Sequence, residues 1–242
     1  MSDTARTTAQ DLAAAVAGVV GHGCSVILTG SLATGAFRPG QSDIDMLAIT
    51  PTPLTDRQAD DLGMLVRTAE LHDAKGIDLH VVLAKVAVEP VPISPLELLV
   101  GRYPSGVETA RRTSDPDLIV EFSEARAVGC ALVGDDPATL IGSVPTAWVM
   151  ARGQHWLKTW LALADDVAHA RFMIETAARI WRFAVDGVHG PKSVALAWAA
   201  GEDPDLRALR EPDVTDAASV EEVLRAALAA SERSFCPGPA VD

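Results

Sequence analysis

The chain is short of positive charge. Its 20 lysines and arginines stand against 33 aspartates and glutamates, a formal net charge of -13. A protein that gathers nucleic acid by its phosphates normally carries a basic footprint, so the balance argues against a nucleic-acid partner and suits a cationic small molecule better. Cysteine is scarce as well: Cys24, Cys130 and Cys236 are odd in number, widely spaced and without any C-x-x-C pair. That argues against a disulfide framework or a thiolate metal cluster and for reduced thiols in a reducing compartment, the cytoplasm. Long apolar runs are missing. Leu12 to Val20 falls short of the ~18 residues a membrane span requires. Asp3 and Asp11 precede it with Arg6 as the only positive charge, so it reads as an Ala-rich amphipathic helix ending near Gly21-His22-Gly23 rather than as a signal-peptide core. No membrane association is expected. What remains, 48% apolar and 22% charged residues over 242 positions, is a globular composition long enough for one large domain or two small ones.

The most informative stretch is Val26 to Thr50. Val26-Ile27-Leu28 and Met46-Leu47-Ala48-Ile49 are short apolar runs bounded by turn residues, so each reads as a buried strand. Between them lie Gly30-Ser31, a helical turn over Leu32 to Ala36, and the breaker-rich loop Arg38-Pro39-Gly40-Gln41-Ser42. Asp43 and Asp45 open the second strand. Residues two apart in a strand share a face, so the two carboxylates point the same way while Ile44 points into the core. Side by side they repel, which a hard divalent cation would relieve; Mg2+ uses one or two carboxylates together with phosphate oxygens. The small-residue turn at Gly30-Ser31 leaves backbone N–H groups accessible to an anion.

Downstream, Thr55 is a helix N-cap for a helix to about Leu71, whose core face is Leu62, Leu65, Val66 and Ala69. Ile77 to Leu83 alternates as a third strand, placing Asp78 and His80 on the face opposite Ile77, Leu79 and Val81. Asp78 is thus the natural third carboxylate, with His80 a second candidate base. Glu89 to Pro95 holds three prolines and predicts an irregular connection, followed by a short helix from Pro95 and a loop over Gly101 to Gly106 that carries the only tyrosine, Tyr103. Asp115-Pro116-Asp117 predicts a helix start, with the helix running to about Gly134 along Leu118, Phe122, Ala125, Val128 and Leu132. Beyond Thr146 three apolar stripes recur at helical spacing: Val149, Trp156, Trp160 and Leu163; Ile174, Ala177, Ala178, Trp181 and Val185; Val220, Val223, Leu224, Ala227 and Leu228. They predict a helical bundle with the tryptophans in its core.

Gly30-Ser31 followed by Asp43-Ile44-Asp45 resembles the signature of the nucleotidyltransferase superfamily with the polymerase-beta-like fold. With Gly35, Arg38-Pro39 and Ser42, the string resembles more narrowly the aminoglycoside nucleotidyltransferases that adenylylate streptomycin or spectinomycin. The resemblance implies an α+β chain: a nucleotidyltransferase catalytic domain, a mixed sheet with flanking helices, over residues 1–143, then an all-α helical bundle over residues 144–242 that completes the substrate and ATP cleft. It also implies ATP as co-substrate, Asp43 and Asp45 as Mg2+ ligands, Gly30 and Ser31 at the phosphates, and Asp78 as third metal ligand or general base where the family carries a glutamate. Ala178-Arg179-Ile180-Trp181, Asp186-Gly187 and Pro191-Lys192-Ser193 look like the family's C-terminal segment, which maps Arg179 and Lys192 onto the nucleotide phosphates. Streptomycin-modifying members use a tryptophan and an aspartate whose places fall near Tyr103-Pro104 and near His169, with Asp165 and Asp166 out of register. Spectinomycin is therefore favoured over streptomycin as acceptor, in an enzyme acting as a monomer or homodimer.

Two other readings follow from the same residues. One is a binding module that has kept the fold and lost the reaction, which the three intact acids argue against. The other is a toxin–antitoxin component acting on a protein or transfer RNA; Arg182 and His189 loosely resemble the R-x-x-x-x-x-x-H motif of helical ribonucleases, and the acidic charge disfavours RNA.

Overall fold

The computed structural model describes residues 3–234, so Cys236 lies outside the described residues. Its contacts divide the chain into two compact units, Met1–Val144 and Pro145–Asp242. The first contains, in order, α1 (Asp3–Val20), β1 (Ser25–Leu28), α2 (Gly30–Ala33), β2 (Ile44–Thr50), α3 (Asp56–Thr68), β3 (Ile77–Leu83), α4 (Ala84–Val88), β4 (Ser94–Tyr103), β5 (Gly106–Asp115), α5 (Leu118–Val128), β6 (Cys130–Val133) and α6 (Pro137–Leu140). The six strands form one mixed sheet in the order β5-β4-β3-β2-β1-β6. Only β2 and β3 run parallel, joined by the crossover through α3; the other pairs are antiparallel.

Both faces of the central strands are covered. Val26, Leu28, Met46, Ala48, Leu79, Val81 and Leu98 pack beneath α1 and α3 through Leu12, Val16, Leu62 and Val66. Their alternate neighbours Ile27, Leu47, Ile49, Val82 and Leu96 pack against Leu118, Phe122 and Ala125 of α5. α3 starts where the sequence places it, with a capping box in which the Thr55 side chain accepts from the Gln58 backbone and Gln58 accepts from the Thr55 N–H. Among the described residues no helix is long and apolar enough to cross a membrane.

Three local expectations are corrected. The helical turn after β1 is α2, which begins at Gly30 itself because Gly30 takes φ +62 and turns the chain directly into it. The segment from Ser94 to Asp115, expected as a short helix and a loop, is the β4–β5 hairpin: Leu96, Leu98 and Val100 are buried at period two, and Pro95 is tolerated next to the strand's first residue. The helix expected to reach Gly134 stops at Val128, and Cys130–Val133 is instead β6, paired antiparallel with β1. Gly129 makes that switch because the chain passes too close for a side chain: a Cβ there would lie 2.4 Å from the Ala125 carbonyl oxygen and 2.8 Å from Ile27 Cγ2.

The second unit is helical among its described residues: α7 (Thr146–Leu161), α8 (Ala170–Asp186), α9 (Lys192–Glu202), a 3-10 turn (Arg207–Leu209) and α10 (Ala217–Ser234). Trp160, Met173, Ile174, Ala177, Ala178, Trp181, Leu196, Val220, Val223 and Leu224 form its core, with Trp156 and Trp198 packed at the edge. Trp160 and Trp181 are core, as expected from the stripes, whereas Trp156 stands at the core's edge. Leu163 and Val185 are not core; both are half exposed, Leu163 because α7 has already ended.

The Gly129 contacts yield a stability test. Gly129→Ala should destabilise the protein by about 1–3 kcal/mol, since neither the Ala125 carbonyl nor β1 can yield cheaply. Urea unfolding would show a lower midpoint with unchanged slope; an unaltered midpoint would mean that α5 and β6 can separate.

Candidate active site

The parallel register of β2 and β3 sets Asp45 directly opposite Asp78. Asp43 precedes β2 on the same side, and the parity that directs Leu47, Ile49 and Val82 toward α5 directs all three acids toward that face. The loop expected to return the chain is tied to the turn before β3: the Gly40 N–H donates to the Asp73 carbonyl, Lys75 N–H to the Ser42 carbonyl and Ile44 N–H to the Gly76 carbonyl. On the other flank Thr29 N–H donates to the Asp45 carbonyl at 2.9 Å, placing Gly30 and Ser31 beside the same strand.

Glycine makes room for each acid. A Cβ on Gly30 would stand 2.0 Å from Asp45 Oδ2, and one on Gly76 would stand 2.7 Å from Asp43 Oδ1 and 2.5 Å from the Arg102 carbonyl oxygen. At Gly101, opposite Asp78 in the β3–β4 register, a Cβ would strike the Tyr103 ring at 2.5 Å. Tyr103 lies back over that glycine and its hydroxyl donates to Asp78 Oδ2 at 3.0 Å. The other oxygen, Asp78 Oδ1, is buried without a hydrogen-bond partner. His80 stands 3.9 Å from Asp78 through Nδ1 and 3.9 Å from Asp115 through Nε2, between two carboxylates and in hydrogen-bond contact with neither.

The charge is denser than the three acids alone. Asp45 keeps some exposed surface, yet burial, and after it the charges of Glu121, Asp78, Asp43 and Glu124, raise its pKa to about 8. Glu121 and Glu124 lie on α5, and Glu124 is buried. Burial, and then the Asp78 charge, hold the Tyr103 phenol well above its usual range, so it stays a donor. Burial also pushes the Cys24 thiol up to about 11, which leaves it unreactive at neutral pH.

Among the described residues no group of three or more carboxylate, imidazole or thiol side chains is arranged to hold a metal ion by itself. Mg2+ does not need one, because it binds through one or two carboxylates and completes its octahedron with phosphate and water. An all-oxygen donor set of mutually repelling acids fits such an ion.

The structure thus gathers Asp43, Asp45, Asp78 and Gly30 around one place, with Ser31 next along α2. Arg179 and Lys192 belong to the second unit, on α8 and at the first position of α9. Lys192 Nζ lies 3.6 Å from Glu175, which also pairs with Arg171, and 5.0 Å above the Phe172 ring. His169 Nδ1 contacts Asp166 at 2.7 Å just before α8. In the toxin-like pair, Arg182 lies 4.0 Å from Asp186 and His189 packs on the Phe183 ring. Sequence reasoning missed Gly76, Gly101, Glu121, Glu124 and Asp115. Of these only Gly76, directly ahead of the expected third strand, left a signal, since a glycine beside a strand marks a close approach.

The chain is similar to known proteins in both sequence and fold. The nucleotidyltransferase domain family matches residues 20–102, which hold β1 to β3 and all three acids. Aminoglycoside (3'') (9) adenylyltransferases of Klebsiella pneumoniae and Escherichia coli are 29% identical over 184 residues, 72% of this chain and 70% of theirs. One from Rhizobium radiobacter is 33% identical over 85 residues, 35% of this chain and 32% of its own. Spectinomycin adenyltransferase from Enterococcus faecialis, solved with ATP and spectinomycin, shares the fold with a TM-score of 0.74 at 16% identity, covering 94% of this chain and 99% of that one.

The charge crowding has a measurable effect on stability. Between the ordinary carboxylate value of 3.8 and about 8 the folded Asp45 holds a proton that the unfolded chain has released. Stability therefore falls as pH rises through that window and levels off above it. Asp45→Asn should flatten the decline and raise the melting temperature of the metal-free protein at pH 8.5, by about 2–4 °C for each kcal/mol of relieved repulsion. Gly30→Ala should lower it at every pH, because φ +62 and the Asp45 contact both oppose a side chain. Melting curves from pH 5 to 9 would test both, and a wild-type profile parallel to that of Asp45→Asn would remove Asp45 as the source.

Proposed function

We propose that this chain, whose residues 20–102 are a nucleotidyltransferase domain, moves AMP from ATP with Mg2+ to a hydroxyl of a cationic aminocyclitol or aminoglycoside, spectinomycin in preference to streptomycin. The observation that supports the reading best is the register that sets Asp45 opposite Asp78 on β2 and β3, with Asp43 two residues before Asp45 and Gly30 against the Asp45 carboxylate. Similarity to aminoglycoside adenylyltransferases over 72% of the chain supports the acceptor class. The preference within that class rests on Tyr103 and His169 standing near the places where streptomycin-modifying relatives carry tryptophan and aspartate, and Asp166 is already engaged by His169. An ATP-using enzyme with thiols free at Cys24 and Cys130 suits the cytoplasm.

Asp43 and Asp45 would hold the ion, with Asp78 completing the acidic set. When bound, Mg2+ supplies charge neutralisation between carboxylates and polyphosphate and polarises the phosphoryl oxygens. The chain's own groups do the rest. First-turn N–H groups of α2 have no partner within the helix, so Gly30 and Ser31 can donate to the β/γ end of the nucleotide. Asp78 takes the proton of the acceptor hydroxyl as that oxygen attacks the α-phosphorus in line and pyrophosphate leaves. Arg179 and Lys192 supply positive charge for the departing pyrophosphate. The acidic surroundings of Asp45 favour an acceptor bearing ammonium groups.

Pyrophosphate release with ATP and Mg2+ across a panel of aminocyclitols and aminoglycosides tests the reading. Spectinomycin should support release and streptomycin should not. Asp45→Asn should lower release by at least ~100-fold, consistent with an electrostatic role at the phosphates. Lys192→Ala should act mainly on the KM for ATP, raising it about tenfold for a lost charge-assisted contact. Silence of the wild-type protein across the panel would overturn the acceptor class, and full activity of Asp45→Asn would overturn the acid pair.

A further inference from the structure

We propose that Tyr103 is a positioning residue for Asp78, holding one carboxylate oxygen so that the other alone meets the acceptor hydroxyl; the assignment rests on the nucleotidyltransferase reading above. The β3–β4 register sets Asp78 opposite Gly101, and Tyr103, two residues further along β4, shares that face of the sheet. Because residue 101 has no side chain, the Tyr103 ring folds back over it; a Cβ there would meet Cε2 and the hydroxyl at 2.5 Å each. The phenol then reaches Asp78 Oδ2 at 3.0 Å.

An aspartate's terminal torsion is broad and nearly two-fold, so an untethered carboxylate exchanges its oxygens and samples a range of planes. The phenol's hydrogen bond removes that freedom. It leaves Oδ1, buried and without a hydrogen-bond partner, as the acting atom; His80 Nδ1 lies 3.9 Å away, outside hydrogen-bond reach. In the reaction the acceptor O–H bond breaks as its oxygen bonds to the α-phosphorus. The phosphorus–oxygen bond to pyrophosphate breaks with its electron pair leaving on pyrophosphate, and the proton passes to Asp78 Oδ1. A base performs this only within hydrogen-bond distance of the proton, so the torsion that Tyr103 fixes bears directly on rate. The ring itself could be supplied by any aromatic residue; the hydroxyl is what the arrangement requires.

Tyr103→Phe keeps the ring and deletes the bond. With spectinomycin as acceptor, kcat should fall on the order of 10- to 100-fold while the KM for ATP stays within about twofold. Gly101→Ala pushes the ring off Asp78 and should lower kcat similarly, and the double variant should be no worse than the poorer single one. An unchanged kcat in Tyr103→Phe, or additive losses in the double variant, would overturn the proposal. A second readout needs no turnover. Tyr103 is the only tyrosine, so 3-fluorotyrosine incorporation yields one fluorine resonance; Asp78→Asn should shift it, and Gly101→Ala should shift it as well. A resonance indifferent to Asp78→Asn sinks the positioning role alone, whereas a wild-type protein silent on every acceptor with the resonance still responsive sinks the functional reading alone.

Discussion

Like charges held at short range by two parallel strands are the constraint on which this structure turns. Asp45 and Asp78 face each other across β2 and β3, and Asp43 stands one step before the pair. No local preference favours that arrangement: the acids repel, and burial penalises their charged forms. It persists because the strands that carry them are the least free to move. β2 and β3 lie at the middle of the sheet, flanked by antiparallel β1 and β4, with an apolar core on each face. Repulsion at one end of two strands is set against the burial of Met46, Leu47, Leu79 and Val81 along their length. At about 1.5–3 kcal/mol for each large side chain, burial outweighs a displaced pKa.

The same crowding explains why glycine recurs at the site in two distinct capacities. Gly30 is required by its backbone: φ +62 turns β1 directly into α2 and brings the helix start against Asp45. Gly76 and Gly101 have ordinary backbones and are required for space, the first by the Asp43 carboxylate and the second by the Tyr103 ring. Asp45 and Asp43 thus lie close against the glycine backbone, and Asp78 lies under the Tyr103 phenol. That limits their rotamers.

Legibility in the sequence followed sequence distance. Gly30, Ser31, Asp43 and Asp45 lie in one short stretch bounded by apolar runs, and period-two alternation around Asp78 marked β3, so three acids and three strands were readable before any fold was known. β4 and β5 were not, because the prolines ahead of β4 mimic a loop and β5 is exposed along most of its length, without an apolar face to alternate. β6 was hidden inside a helical pattern, since Leu118, Phe122, Ala125, Val128 and Leu132 keep helical spacing across Gly129; the close approach to Ile27 that stops the helix there is tertiary. Glu121 and Glu124 fall outside the apolar stripe of α5, and nothing in the sequence assigned them a role. Their influence on Asp45 follows from α5 packing under the sheet end that holds the acids, which no spacing reveals.

In the proposed reaction this division of charge resolves an apparent conflict. A chain of net charge -13 with crowded carboxylates at its site is poorly suited to a polyphosphate and well suited to a polyamine acceptor. ATP and acceptor therefore make opposite electrostatic demands, and one surface cannot meet both. The sheet unit supplies the acids. Basic groups assigned to the nucleotide, Arg179 and Lys192, belong to the helical unit, where Glu175 lies 3.6 Å from Lys192 and shares its other oxygen with Arg171. Glu175 would keep its pairing with Arg171 when phosphate engages Lys192, because the two cations contact different oxygens. In that reaction Lys192 would exchange Glu175 for phosphate, while Asp43, Asp45 and Asp78, packed against glycine and phenol, have no comparable freedom. Adjustment to the nucleotide falls on the lysine, and geometric constancy on the acids.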